Sequence, residues 1–127
     1  MVMITGGAYQ GKTAYVTRKF GIAPEDIADG RSCDIASLST ARCISSYHEL
    51  VRRLGADCTR FTEELCRRSP DAVIIIDEIG CGIVPMEKSE RLWRENVGRC
   101  GCIIASHSEK VIRVVCGIPA FIKGECE

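Results

Sequence analysis

The sequence predicts an α/β fold, a three-layer sandwich around a mostly parallel sheet. Three observations carry this. Short β-branched apolar runs alternate with helical stretches along the 127 residues. One run, residues 72–77, is apolar up to its closing aspartate, as in a strand buried on both faces of a parallel sheet. Another, residues 2–5, passes directly into a glycine-rich loop and then a helix. Right-handed crossovers between parallel strands put helices on both faces of such a sheet.

The elements follow in order. Residues 2–5 read as a first strand, and residues 12–20 as a helix ended by Gly21. Residues 26–29 form a short second strand, broken by Gly30, and 31–39 read as polar loop. Over 41–54, Ile44, Tyr47, Leu50, Val51 and Leu54 fall at helical spacing, and Gly55 stops the run. Over 59–68, Phe61, Leu65 and Cys66 repeat the pattern, and Pro70 closes it. The strand over 72–77 leads to a loop over 80–85 and a long helix over about 89–105. A β-branched run over 111–116 and a short edge strand over 121–123 complete the sheet.

The length fits one domain, which buries about two-thirds of its unfolded surface. Lys plus Arg and Asp plus Glu each number 17, so no net charge draws the chain to nucleic acid or a membrane surface. Neither is expected as a partner. The longest apolar run, 72–76, is far too short to span a bilayer. The opening MVMIT has no basic region or cleavage site, so a cytoplasmic location is expected. Nine cysteines include no CxxC pair, and their odd number and spacing give no disulfide framework. Cys100 and Cys102 stand close but lack a second pair for zinc. The thiols are expected to act as small buried hydrophobes.

Residues 6–13, GGAYQGKT, fill the pattern G-x-x-x-x-G-K-[ST] of a phosphate-binding P-loop (Walker A). Its glycines reach backbone angles closed to other residues, so successive N–H groups turn inward onto phosphate oxygens. The positive helix end behind them adds to the attraction. Gly6, Gly7, Ala8, Tyr9, Gln10, Gly11, Lys12, Thr13 and Ala14 are therefore the nucleotide-binding candidates. Lys12 would reach the β- and γ-phosphates, and the Thr13 hydroxyl would ligate Mg2+. The preceding strand and following helix are the context that confirms such a string. ATP or GTP is the expected substrate, and nothing in the sequence chooses between them.

A P-loop needs an acidic residue at the end of a neighbouring buried strand. VIIIDEIG supplies two. Asp77 is the candidate for Mg2+, and Glu78 for orienting or deprotonating a nucleophile. Arg91, Arg94 and Arg99 cluster on the long helix, as a solvated basic face, a subunit contact or a source of charge near a γ-phosphate. Pro85 and Pro119 are expected to stiffen loops, Trp93 to pack, and His107 to lie on the surface.

VMITGGAYQGKT, DEIGCGIVP, and RLWRENVGR followed by VIRVVCGIPAFIK resemble, in order and approximate spacing, the CobU-type family. Its members are adenosylcobinamide kinases and adenosylcobinamide-phosphate guanylyltransferases of cobalamin biosynthesis. The resemblance covers residues 1–20 and 72–123. It implies a RecA-like P-loop NTPase fold and a homo-oligomer, a trimer by resemblance. It also implies phosphoryl transfer to a corrinoid or another small-molecule hydroxyl. Family members are longer between the P-loop helix and the DEIG strand. There they carry an extra strand–helix unit and a histidine that accepts GMP. Here that segment is reduced to residues 21–70, and its one histidine is His48, within YHELVRRL. His48 is thus the candidate for nucleotidyl transfer, with a packed or surface helix residue as the alternative. Two other readings stand beside the kinase: a nucleotide-binding regulatory or assembly protein, and a generic small NTPase.

Overall fold

The structure, a computed structural model, describes residues 1–79 and 87–124. Ten regular elements follow one another: β1 (Val2–Gly6), α1 (Lys12–Phe20), β2 (Ile27–Asp29), β3 (Cys43–Ser45), α2 (Tyr47–Leu54), α3 (Cys58–Arg68), β4 (Val73–Asp77), α4 (Lys88–His107), β5 (Lys110–Val115) and β6 (Ile118–Lys123). The strands form one sheet in the order β2-β3-β4-β1-β5-β6. All neighbours are parallel except β5 and β6.

The three layers follow from strand alternation. Successive side chains of β1 and β4 point to opposite faces, and both faces are apolar. Met3, Ile74 and Ile76 pack with Ile44, Leu50, Val51, Leu65 and Ile104, burying one face under α2, α3 and α4. Val2, Ile4, Ile75, Ile112 and Val114 pack on the other face with Tyr15 and Val16 of α1. The expected three-layer α/β architecture around a mostly parallel sheet is therefore present.

Residues 41–54 differ from expectation. They do not form one helix: Cys43–Ser45 is strand β3, and α2 begins at Tyr47. Between them Ser46 adopts a left-handed backbone, φ 51°. Cys43 and Ile44 are fully buried and pair with Val73 and Ile74 of β4. Sheet pairing overrides the helical spacing of Ile44 and Tyr47, which a strand followed by a helix satisfies equally well.

The polar loop over 31–39 contains a 3₁₀ helix, Ile35–Thr40, which buries Leu38. The final strand is longer than expected and antiparallel. Cys116 and Gly117, both at positive φ, make the tight turn that pairs β6 with β5. Cys43, Cys58, Cys66 and Cys100 are buried free thiols, as expected of small hydrophobes, whereas Cys33 is half-buried and Cys102 and Cys116 are exposed, contrary to that expectation. Burial pushes the thiols of Cys43 and Cys100 up to about 12, which keeps them protonated and unreactive. Among the described residues no helix is long and apolar enough to cross a membrane.

Candidate functional site

The site is built where β1 and β4 end side by side. Gly6 closes β1 and is in register with Asp77, the last residue of β4. The Glu78 N–H donates to the Gly6 carbonyl at 2.8 Å, holding the two strand ends together. Gly6 has φ 146°, and a Cβ there would stand 2.4 Å from the Val114 carbonyl oxygen of β5. Only glycine allows this turn into the loop. Gly11, φ 85°, opens α1, and Gly11 O accepts the Tyr15 N–H. The loop is braced from the far side by the β5–β6 turn. Gln10 Oε1 accepts the Cys116 N–H at 2.7 Å, and Gln10 O accepts the Gly117 N–H at 2.8 Å.

Lys12 is buried and turned inward. Its Nζ donates to Gly7 O at 2.6 Å and pairs with Asp77 Oδ1 at 2.7 Å. The other carboxylate oxygen, Asp77 Oδ2, faces His48 Nε2 at 3.5 Å. His48 Nδ1 accepts the Asp77 backbone N–H at 3.2 Å. With Nδ1 accepting, the proton of the neutral ring sits on Nε2, toward the carboxylate. Burial lowers the His48 pKa, and the Asp77 charge only partly opposes this, so the ring is neutral at pH 7. His48 is anchored in turn: its carbonyl accepts the Trp93 indole N–H at 2.8 Å, and the Arg52 guanidinium lies 3.9 Å over the Trp93 ring.

Above this chain of contacts opens a cavity of about 320 Å³. One wall is the loop from Ala8 through Ala14, including Lys12 and Thr13. Asp77 and Ile75 come from β4, and Arg31 and Ser46 come from the ends of β2 and β3. The cavity lies beyond the carboxyl ends of parallel strands, where ligands bind in open α/β sheets.

The structure thus brings Lys12, Thr13, Asp77 and the loop together, with Gly6 and Gly7 forming the base of the loop. Tyr9, at φ 60°, is fully exposed at the rim. Glu78 is not among the lining residues. Its carboxylate is held by Arg113 of β5 at 2.6 and 3.1 Å. His48 also lies behind the cavity wall, buried, with both ring nitrogens facing Asp77. Arg91, Arg94 and Arg99 on α4 do not reach the cavity, and His107 is exposed as expected. Pro85 and the rest of the loop over 80–85 lie outside the described residues. Arg31 and Ser46 escaped the sequence reading. The turn signal Asp29-Gly30 at a strand's carboxyl end was the available pointer.

Among the described residues no cluster of three or more His, Cys, Asp or Glu forms a metal site. Thr13 and Asp77 both line the cavity and offer hard oxygen donors. That set suits Mg2+, which is usually held by one or two protein oxygens together with substrate phosphates.

A family model described as cobinamide kinase / cobinamide phosphate guanyltransferase (CobU) matches residues 33–122, more than half of the chain. The chain belongs to the CobU family. CobU-family members are enzymes of kinase and guanyltransferase type, and this supports a nucleotide-using role in cobalamin biosynthesis. The match takes in β3, α2, α3 and β4 with Asp77, and so reaches into the segment least like the family by sequence motifs. The glycine-rich loop, residues 6–13, precedes the matched part of this CobU-family chain. No curated protein sequence matches the chain.

Proposed function

We propose that this CobU-family protein is a kinase with a RecA-like P-loop NTPase fold. It binds ATP or GTP with Mg2+ in the cavity over β1 and β4 and transfers the γ-phosphoryl group to a small-molecule hydroxyl. The observation that carries this is the convergence of Lys12 and Asp77, 2.7 Å apart, beneath the loop of residues 8–14. In the transfer the acceptor oxygen forms a bond to the γ-phosphorus. The bond from that phosphorus to the β,γ-bridging oxygen breaks, and the diphosphate leaves. Lys12 exchanges its contacts with Gly7 O and Asp77 for phosphate oxygens and neutralises their charge. The backbone N–H groups of the loop fix the phosphates in line with the acceptor. Thr13 and Asp77 would hold Mg2+, which when bound would supply further neutralisation of the phosphate oxygens. Asp77 is the carboxylate that lines the cavity, and its charge is committed first to Lys12 and then to the metal. The acceptor's proton leaves late in the transfer to solvent, or to Glu78 once that carboxylate parts from Arg113.

A corrinoid, adenosylcobinamide by the family's chemistry, is the first acceptor to test. Purified protein is expected to turn over ATP or GTP in the presence of the corrinoid and to lose that turnover in Lys12→Ala. Absence of turnover with corrinoids and small alcohols, together with tight nucleotide binding, would instead support the regulatory or assembly reading. One observation favours that second reading: His48, the only histidine in the shortened segment, is packed behind the cavity wall. Guanylyl transfer is therefore not part of the activity we propose. Homo-oligomer formation, a trimer by resemblance, belongs to the same reading and is checked by sedimentation velocity.

A further inference from the structure

The wall of the cavity opposite the P-loop carries a second cation. Arg31 follows β2, lines the cavity together with Ser46, and has an exposed side chain. Its guanidinium forms no ion pair with a carboxylate among the described residues, whereas Lys12 is paired with Asp77. Among the described residues, the charged side chains lining the cavity are thus Lys12 and Arg31 against Asp77.

The segment that carries Arg31 is held in place from several sides. The Arg31 N–H donates to Asp29 Oδ1 at 3.0 Å, and the Ser32 and Cys33 N–H groups donate to Asp29 O. Gly30 is buried, and its N–H donates to Ser45 O at 2.8 Å. A Cβ at Gly30 would stand 2.5 Å from Ser46 O, so the two strand ends touch without room for a side chain. Arg53 of α2 donates to Gly30 O at 2.9 Å and to Cys33 O at 2.8 Å, closing the turn from outside. An arginine on a free surface loop needs none of this. A pre-set backbone with an unpaired planar fork lowers the ordering cost of gripping an oxyanion, and a guanidinium matches phosphate geometry bidentately.

We propose that Arg31, with Ser46 lining the same cavity, forms a second anion subsite that takes phosphoryl oxygens across the cavity from the P-loop. This rests on nucleotide binding at the P-loop and extends it to the opposite wall. The phosphoryl group is either the γ-phosphate of the nucleotide or a phosphate on the acceptor side. The chemistry is the same, and the experiment separates the sources.

The test is titration calorimetry of the full chain with Mg2+, using wild type, Arg31→Ala, Arg31→Lys and Lys12→Ala. Ligands are ADP, a non-hydrolysable ATP analogue, and inorganic phosphate added to ADP-loaded protein. If Arg31 holds the γ-phosphate, Arg31→Ala weakens the ATP analogue by about tenfold or more and leaves ADP within about twofold. If it holds an acceptor-side phosphate, both nucleotides are unchanged and phosphate binding to the ADP complex falls by a similar factor. Arg31→Lys keeps the charge without the fork and falls between wild type and Arg31→Ala. The proposal is overturned if Arg31→Ala leaves all three affinities within about twofold, or weakens ADP as much as the ATP analogue. Failure of wild type to bind either nucleotide removes the P-loop reading itself, and Lys12→Ala identifies that case. The thermal midpoint of Arg31→Ala should match wild type, because the clamps at Asp29, Gly30 and Arg53 are untouched.

Discussion

His48 and Asp77 touch twice: the Asp77 N–H donates to Nδ1 at 3.2 Å, and Asp77 Oδ2 faces Nε2 at 3.5 Å. A histidine that accepts a nucleotidyl group needs a free ring nitrogen pointed at phosphorus. Here one lone pair is spent on backbone and the other nitrogen carries the proton, inside a buried ring. His48 therefore acts by holding the end of β4, and through it the carboxylate that Lys12 pairs with. Incubation with GTP and Mg2+, followed by intact mass measurement under denaturing conditions, should show no gain of GMP size. A gain that disappears in His48→Asn would overturn this assignment.

The same contact predicts a pH dependence of stability. The His48 pKa is lowered in the folded state by burial, so between its folded pKa and the ordinary value of 6.5 the unfolded chain binds more protons. The contribution is fully present above about pH 6.5 and is lost as pH falls toward the folded pKa. Urea unfolding at a series of pH values should show stability rising through this window. His48→Asn, which keeps a side-chain acceptor but cannot titrate, should flatten the rise. An unchanged slope in that variant would move the effect to other groups.

The two carboxylates at the end of β4 separate by environment. Asp77 lines the cavity and pairs with Lys12, whereas Glu78 pairs with the half-exposed Arg113 on β5. Asp77→Asn should lower phosphoryl transfer by at least about a hundredfold, since it removes a ligand of the cation that would neutralise the transferring phosphoryl group. Glu78→Gln loses a solvent-screened ion pair worth about 0–1 kcal/mol and should keep most of the turnover. Steady-state kinetics of both variants decide the assignment. A collapse of kcat in Glu78→Gln would return the proton-accepting role to Glu78.

Much of the site was legible because its parts are local. GGAYQGKT and VIIIDEIG each state their chemistry within eight residues, and the sheet sets them side by side through the register of Gly6 with Asp77. What the sequence could not show depends on distant contacts. Strand β3 is three residues long and carries no turn glycine or proline, and only its pairing with β4 distinguishes it from the start of α2. The contact of His48 with Asp77 spans 29 positions, and Arg31 reaches the cavity only because β2 sits at the far end of the order β2-β3-β4-β1. Glu78 reads as a site residue from its neighbour Asp77, but its carboxylate pairs with Arg113 of β5, a contact 35 positions away in the chain.

The entry into the glycine-rich loop after β1 makes the last prediction. Gly6 combines φ 146° with the Val114 carbonyl 2.4 Å from where a Cβ would sit. That carbonyl belongs to β5, which is paired on both sides and cannot withdraw without breaking its ladders to β1 and β6. Gly6→Ala must therefore both strain the backbone and push the two strands apart. Backbone strain and overpacking each cost about 1–3 kcal/mol, so a loss of about 2–6 kcal/mol is expected. Gly7, whose added Cβ would meet only the Gln10 side chain at 3.7 Å, provides the control, and Gly7→Ala should cost far less. Chemical denaturation of both variants measures the difference. Equal losses would mean that the close approach of β1 to β5 is not what requires glycine at position 6.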